Sequence, residues 1–468
     1  MDYFFLIISL IIPTIIGAGV ISFIKLKGWC IKLILSFGLG TGLITFLMFW
    51  WSFLGLSPEV FVIIITLISI ILLGIFFFYW RSSFYRFLSK ISLARIIKKI
   101  KSFEIVEIIL ILVITLEIGF VLAEGSLRPL IGFDALANWA WKAKLFFYQP
   151  QVFFNSGADL FLGGAGAHPN YPLHIPLLMT WTYFWLGQVN DIIIGLIFAF
   201  YFIFLVSFIY FSLRDFIKRK LALIFTVFLS TLPLFLYHGF HAYADLALSF
   251  YFTIGVILLF KYISAQKSQI SYLFLSGLFF GLSGWVKSEG LMLFGVVLII
   301  FLIYLVFEIF KHSLFKNKSK WIFILKQLLI FISSFAILVL PWIIFKINFG
   351  LGYSNVTAAG ISWSGFHPEI FISTIEQIFI SSSFHLWPGI FLLILILAGR
   401  RAWSRPNYFL GLIIFGVILA YFIFYLFTPS YEFVLDGTIV SRNFLTIIPL
   451  SIFWSGILLA RQIFKDKI

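Results

Sequence analysis

The sequence is poor in charge and nearly without cysteine. Only 11% of its 468 residues are Asp, Glu, Lys or Arg, against about 25% in an ordinary soluble domain. A single cysteine, Cys30, excludes an internal disulfide framework and a thiolate metal cluster. Two-residue alternation of apolar and polar positions is missing, which excludes a transmembrane β-barrel. No internal repeat occurs, and no stretch is polar enough to form a soluble domain of any size.

What is present is apolar sequence in long runs. Hydrophobic residues make up 62% of the chain, and stretches such as Phe61–Trp80 and Asp191–Leu213 approach the ~20 residues that cross a hydrocarbon core. Backbone in lipid must satisfy its own hydrogen bonds, so these runs form helices. The chain reads as an all-α polytopic membrane protein, a bundle of about thirteen transmembrane helices. The spans are placed at 3–24, 33–55, 60–80, 104–123, 191–213, 221–237, 246–264, 270–286, 289–308, 326–347, 386–399, 407–428 and 443–460. Met1-Asp2-Tyr3 places no basic region ahead of the first apolar run, so that run reads as a span and not as a signal peptide.

The formal charge of +15 is dispersed through short loops. That is the pattern of topology signals, and no nucleic-acid partner is expected. With the N-terminus outside and the C-terminus cytoplasmic, the inner loops collect Lys25, Lys27, Lys32, the basic run from Arg81 to Lys101, Arg214, Lys218, Arg219 and Lys220. They also collect the segment from Lys311 to Lys326, Arg400, Arg401, Arg405 and Arg461. The segment Arg81–Ser102 reads as a basic amphipathic strip on the inner leaflet. Arg128, Lys142, Lys144, Lys287, Lys346 and Arg442 are left on the outer side, where topology gives no reason for them.

The longest extramembrane segment, 124–190, lies between the fourth and fifth spans, and long loops among tight turns tend to carry function. Its apolar stretch Leu173–Gly187 is too short to span and reads as an interfacial helix lying at, or dipping into, the outer surface. Earlier in the loop, Gly132-Phe133-Asp134 opens a helical pattern that sets Asp134, Asn138, Trp141 and Lys142 on one face. Helix capping is the plainer role for Asp134. In His168-Pro169-Asn170-Tyr171-Pro172-Leu173-His174 the prolines fix an extended approach. His168, Tyr171 and His174 there either donate to a ligand or anchor the loop at the water–lipid boundary.

Three more polar stretches sit at the outer boundary of separate spans. They are Tyr237-His238-Gly239-Phe240-His241-Ala242-Tyr243-Ala244-Asp245, Gly284-Trp285-Val286-Lys287-Ser288-Glu289-Gly290, and Ser441-Arg442-Asn443-Phe444 with Pro449. Lys287 and Glu289, two apart, would not face each other on a regular helix. Glu117, inside the fourth span, is the unusual intramembrane acid and reads as facing the protein interior.

Together these stretches, from about Glu124 to Arg461, resemble the GT-C superfamily of lipid-dependent membrane glycosyltransferases. They are similar to bacterial members related to protein O-mannosyltransferases and aminoarabinose transferases. Where that family more usually has Arg-Tyr in its late motif, this chain has Arg442-Asn443. The resemblance implies a GT-C-like bundle with a large first outer loop containing short interfacial helices. It divides the chain into a three-span addition with a basic linker, 1–103, and a catalytic core, 104–468.

The resemblance also implies a reaction. A sugar would pass, with inversion, from a polyprenyl-phosphate donor to a hydroxyl of a glycan, lipid or protein acceptor on the outer face of the membrane. Such chemistry needs a base for the hydroxyl proton and positive charge for the departing phosphate. Asp134 is then the base. Lys142, Lys144, Lys287 and Arg442 are the candidates for the phosphate, with His168, Tyr171, His174 and Glu289 lining the donor site. His241 and Asp245 would form an acceptor or second acidic site. The plainer roles are snorkelling for Lys287 and capping for Asp245.

No cofactor is expected, although His238 and His241 are three apart, a possible metal spacing. The non-enzyme alternative is a transporter or lipid flippase, against which the sparse charge within the spans counts. A further alternative is a glycan ligase or polymerase acting on an isoprenoid diphosphate-linked oligosaccharide.

Overall fold

The computed structural model describes residues 1–55, 57–88, 102–150, 159–265, 269–311, 318–352, 363–381 and 383–463, and these contain no strand. Helices α1 (Asp2–Ser22), α2 (Trp29–Phe53), α3 (Pro58–Leu88) and α4 (Ile105–Leu127) precede the long loop. The loop holds a π-helical turn (Ala135–Ala140), α5 (Trp141–Tyr148) and α6 (His174–Leu186). After it come α7 (Leu196–Arg214), α8 (Arg219–Ser230), α9 (Pro233–His238), α10 (Ala244–Ser264), α11 (Ile270–Val286), α12 (Glu289–Lys311) and α13 (Lys318–Asn348). The chain finishes with α14 (Ile370–Ile375), α15 (Trp387–Ala398), α16 (Tyr408–Phe427), α17 (Tyr431–Leu435), α18 (Val440–Phe444) and α19 (Ile448–Ile463).

Nine of the described helices are long and apolar enough to cross a membrane, and the chain is a multi-pass membrane protein. The other four expected spans are shorter, each for a local reason. The run 221–237 is split because Leu232, ahead of Pro233, is extended at ψ 124°; a residue before proline is pushed out of the helical region. The run 443–460 is divided between α18 and α19. α15 has 12 residues, a rise of about 18 Å, and stops at Gly399 with φ 50°. α11 is apolar throughout but has 17 residues. Most of the expected basic strip Arg81–Ser102 lies outside the described residues.

α1 and α2 cross in backbone contact. A side chain at Gly40 would collide with the Pro13 carbonyl, and one at Gly17 with the Ser36 carbonyl. Without a hydrophobic drive between helices in lipid, such close approach is what binds them. A buried polar network then joins these helices to the rest. Thr45 Oγ1 lies 2.8 Å from His174 Nδ1, His174 Nε2 lies 2.7 Å from the Tyr201 hydroxyl, and Thr41 Oγ1 lies 2.9 Å from the Tyr251 hydroxyl. Trp285 Nε1 donates to Thr45 at 3.1 Å.

The segment 173–187 is the main departure from the expected fold. As α6 it does not lie on a surface: His174 to Tyr183 are all buried. The helix starts at the level of Thr45, inside α2, passes Ser9, whose carbonyl accepts from Trp181 Nε1 at 2.7 Å, and emerges where Gln188 and Asn190 meet Asp2. It is mostly apolar on every side, with the Thr180 and Thr182 hydroxyls returned to backbone carbonyls, and a helix apolar all round belongs inside a bundle. The loop before it, His168 to Leu173, is thereby drawn below the Asp2 end of the molecule.

Candidate functional site

At that same end, charged residues from four separate segments form one chain of ion pairs. Arg442 Nη2 stands 2.6 Å from Asp134 Oδ2 and 2.9 Å from Asp245 Oδ2. Its Nε lies 3.2 Å from the same Asp245 oxygen. The other Asp245 oxygen accepts from Lys287 Nζ at 2.8 Å, and Lys287 reaches Glu289 Oε1 at 3.1 Å. The order is Asp134, Arg442, Asp245, Lys287, Glu289.

The middle of this chain is buried and its ends are accessible. Side-chain exposure is 2% at Asp245 and 6% at Lys287, but 26% at Arg442 and 28% at Asp134. The Tyr243 ring lies beneath Arg442, 4.9 Å from its Cζ, in cation–π geometry. Burial pulls both cations toward neutrality, but the adjoining carboxylates outweigh it. Asp245 and Glu289 hold Lys287 above the ordinary lysine value, and Asp245 and Asp134 do the same for Arg442.

Local backbone explains how each side chain gets there. Asp134 stands at the cap position of the π-helical turn, yet its side chain makes no cap bond; it turns to Arg442 instead. The π-turn also undoes the expected shared face, because a wider turn rotates residues out of three- and four-residue register. Asp134 faces Arg442, whereas Trp141 Nε1 donates to the Gly163 carbonyl and Lys142 to the His168 carbonyl. Lys287 and Glu289 do meet, although two apart, because Lys287 is extended (φ −149°, ψ 145°) between α11 and α12. Gly290 makes that turn feasible, since any side chain there would run into the Ser283 backbone.

The loop from His168 to Tyr171 forms a wall beside this cluster. Tyr171 is pushed up to about 12 by burial, and its hydroxyl is within the electrostatic reach of Lys287, Glu289, Asp134 and Arg442. His168 is driven down by burial and by Lys142, with Asp134 acting the other way. His168 sits at φ +50°, a region costly for a residue with a side chain. Two donors hold its carbonyl there: Lys142 Nζ at 2.8 Å and the Tyr171 backbone N–H at 3.0 Å.

Not every expected residue joins. Lys142 is wholly buried between the Trp139 and Tyr171 rings, and burial pushes it well below the ordinary lysine value. It anchors the loop and offers no open face to a ligand. Lys144 is paired with Asp191 at 2.5 Å, bracing the loop elsewhere. His174, expected in the donor site, has both ring nitrogens engaged in the core by Thr45 and Tyr201. His241 stacks on Tyr237 at 3.9 Å and bonds its carbonyl through Nδ1. It lies in an aromatic cluster next to the ion-pair chain. Glu117 is partly exposed on α4 and is not drawn into the site.

Sequence reading missed Tyr243 and Trp139. Each lies close to a residue it did select, but aromatic side chains are so abundant here that neither stood out. Among the described residues no three His, Cys, Asp or Glu side chains are grouped so as to hold a metal ion.

No family model matches the chain, and no curated protein matches it. Solved structures do match by fold. The crystal structure of ArnT from Cupriavidus metallidurans in the apo state aligns with a TM-score of 0.54 at 14% identity, covering 75% of this chain and 59% of that one. ArnT from the same organism bound to undecaprenyl phosphate aligns with a TM-score of 0.52 at 14% identity, covering 75% and 60%. The chain thus spans about three fifths of the length of the structures it matches. The bundle shares the fold of these ArnT structures.

Proposed function

We propose that this protein is a membrane glycosyltransferase that takes its sugar from a polyprenyl-phosphate donor and passes it, with inversion, to an acceptor hydroxyl. Asp134 is the general base, Arg442 binds the phosphate, and Asp245 and Lys287 fix Arg442 in place. The bias of basic residues toward the loops read as inner supports an outer-face location for this chemistry.

The observation that carries the reading is the convergence of Asp134 and Arg442 at 2.6 Å, from the loop after the fourth helix and the short helix before the last one. A hydroxyl is a poor nucleophile at neutral pH, and a positioned carboxylate is the group that takes its proton as the anomeric carbon is attacked. Charge develops on the phosphate as the glycosidic bond breaks, and a guanidinium matches two phosphate oxygens at once. The ArnT structure with undecaprenyl phosphate bound supports the choice of a lipid phosphate as the donor's carrier.

The test is incubation of the purified protein with native membrane lipid extract and polyprenyl-phosphate sugars radiolabelled in the sugar. The expected result is label in a new acceptor fraction together with free polyprenyl phosphate. Label that crosses a vesicle membrane with its lipid still attached would show a flippase instead.

A further inference from the structure

Three carboxylates and two cations make up the ion-pair chain, so the cluster by itself carries more negative than positive charge. Both cations are already taken up by carboxylates, so a phosphate gains a cation here only where one carboxylate gives it up. The geometry identifies which one: Glu289 is as accessible as Asp134, but the cation it holds, Lys287, is buried and stays bound to Asp245. Asp245 is buried and holds Lys287 with one oxygen and Arg442 with the other; removing it would strand two cations at once. Asp134 is accessible, contacts Arg442 through a single oxygen, and has no second cation among the described residues.

The cations sort in the same way. Lys287 is enclosed between Asp245 and Glu289, and Lys142 is enclosed between two aromatic rings. Arg442 is the accessible cation of the cluster, and Asp134 lies on it.

We propose that Asp134 is an exchangeable counter-anion. The phosphate of the donor displaces it from Arg442, and that displacement releases the carboxylate toward the acceptor. Donor binding therefore comes first and makes the base available, so that no acceptor is activated in an empty site. This rests on the function proposed above. It adds an ordering of the two substrates and a second role for Asp134, as the occupant of the phosphate site.

Competition gives a result opposite to that of a supporting role. If Asp134 merely holds Arg442 in position, Asp134→Asn weakens or leaves unchanged the binding of a phosphate. If it competes, the same change tightens binding. An ion pair this accessible is worth up to about 1 kcal/mol, so the gain is about threefold to fivefold.

The experiment measures the affinity of the full-length protein in detergent for undecaprenyl phosphate, inorganic phosphate and undecaprenol, for the parent, Asp134→Asn and Arg442→Ala, each checked for an unaltered thermal unfolding profile. The proposal expects Asp134→Asn to bind undecaprenyl phosphate more tightly than the parent, Arg442→Ala to bind it more weakly, and undecaprenol to show neither change. A matching gain with inorganic phosphate assigns the effect to the headgroup alone. Parent-like or weaker binding of undecaprenyl phosphate by Asp134→Asn overturns the exchange and leaves the glycosyltransferase reading standing. Failure of the folded parent to bind undecaprenyl phosphate at all overturns both.

Discussion

Asp134 and Arg442 meet at 2.6 Å, although one follows the fourth helix and the other precedes the last. Neither could be placed there by local sequence. The approach depends on α6 descending into the bundle, on the extended turn at Lys287, and on Asp245 gripping Arg442 from below.

Asp245 is the hinge of this arrangement, and neutralising it should be costly. Breaking a buried ion pair by removing one partner costs about 3–5 kcal/mol. Asp245→Asn is expected to lower thermal stability strongly, and Asp245→Asn with Lys287→Met to be less damaging than the two single changes added together. A thermal-unfolding double-mutant cycle checks this; strict additivity would mean that the two residues do not interact.

The class of fold was legible in the sequence because lipid leaves the backbone few choices. Apolar runs had to be helices, and most spans appear where expected. The polar stretches at their ends also come together in space: Asp134, Asp245, Lys287, Glu289 and Arg442 were each selected from the sequence, and they converge. What could not be read were departures from regular geometry. A π-turn separated Lys142 from Asp134, an extended residue brought Lys287 to Glu289, and the proline at 233 cut a span in two. The place of His174 in the core could not be read, because its hydrogen-bond partners, Thr45 and Tyr201, lie on other helices and no spacing rule brings them together.

His174 supplies a direct contrast between core and site. His174→Ala would remove one hydrogen-bond partner from each of the Thr45 and Tyr201 hydroxyls, which keep Trp285 and Tyr251, at about 0.5–1.5 kcal/mol for each bond lost. The expected outcome is a lower unfolding temperature with undecaprenyl phosphate affinity unchanged in the protein that remains folded. Weakened binding at full stability would return His174 to the donor site.

Lys142 should make stability depend on pH in the alkaline range. Burial lowers its proton affinity in the folded state, so the unfolded chain binds more protons there. Stability then rises with pH up to the ordinary lysine value of 10.5. Lys142→Met should flatten that rise, as followed by thermal unfolding between neutral and alkaline pH. An equal slope in both proteins would show that Lys142 is not the group responsible.

The crossing of α1 and α2 predicts a sharp difference between two glycines. Gly40→Ala drives a methyl into the Pro13 carbonyl, whereas Gly74→Ala meets open space. Overpacking costs about 1–3 kcal/mol, so the first is expected to lower the unfolding temperature and the second to leave it unchanged. Equal effects would mean that the helices do not cross at Gly40.

The most direct measurement of the whole account is the release of polyprenyl phosphate from a polyprenyl-phosphate sugar by purified protein in lipid nanodiscs, comparing the parent with Asp134→Asn. The donor and acceptor would be those identified in lipid extract. The expected result is release by the parent and its loss in the variant, with the variant still folded and still binding the lipid phosphate. Release by Asp134→Asn at the parent rate would contradict the assignment of the base, and with it the site described above.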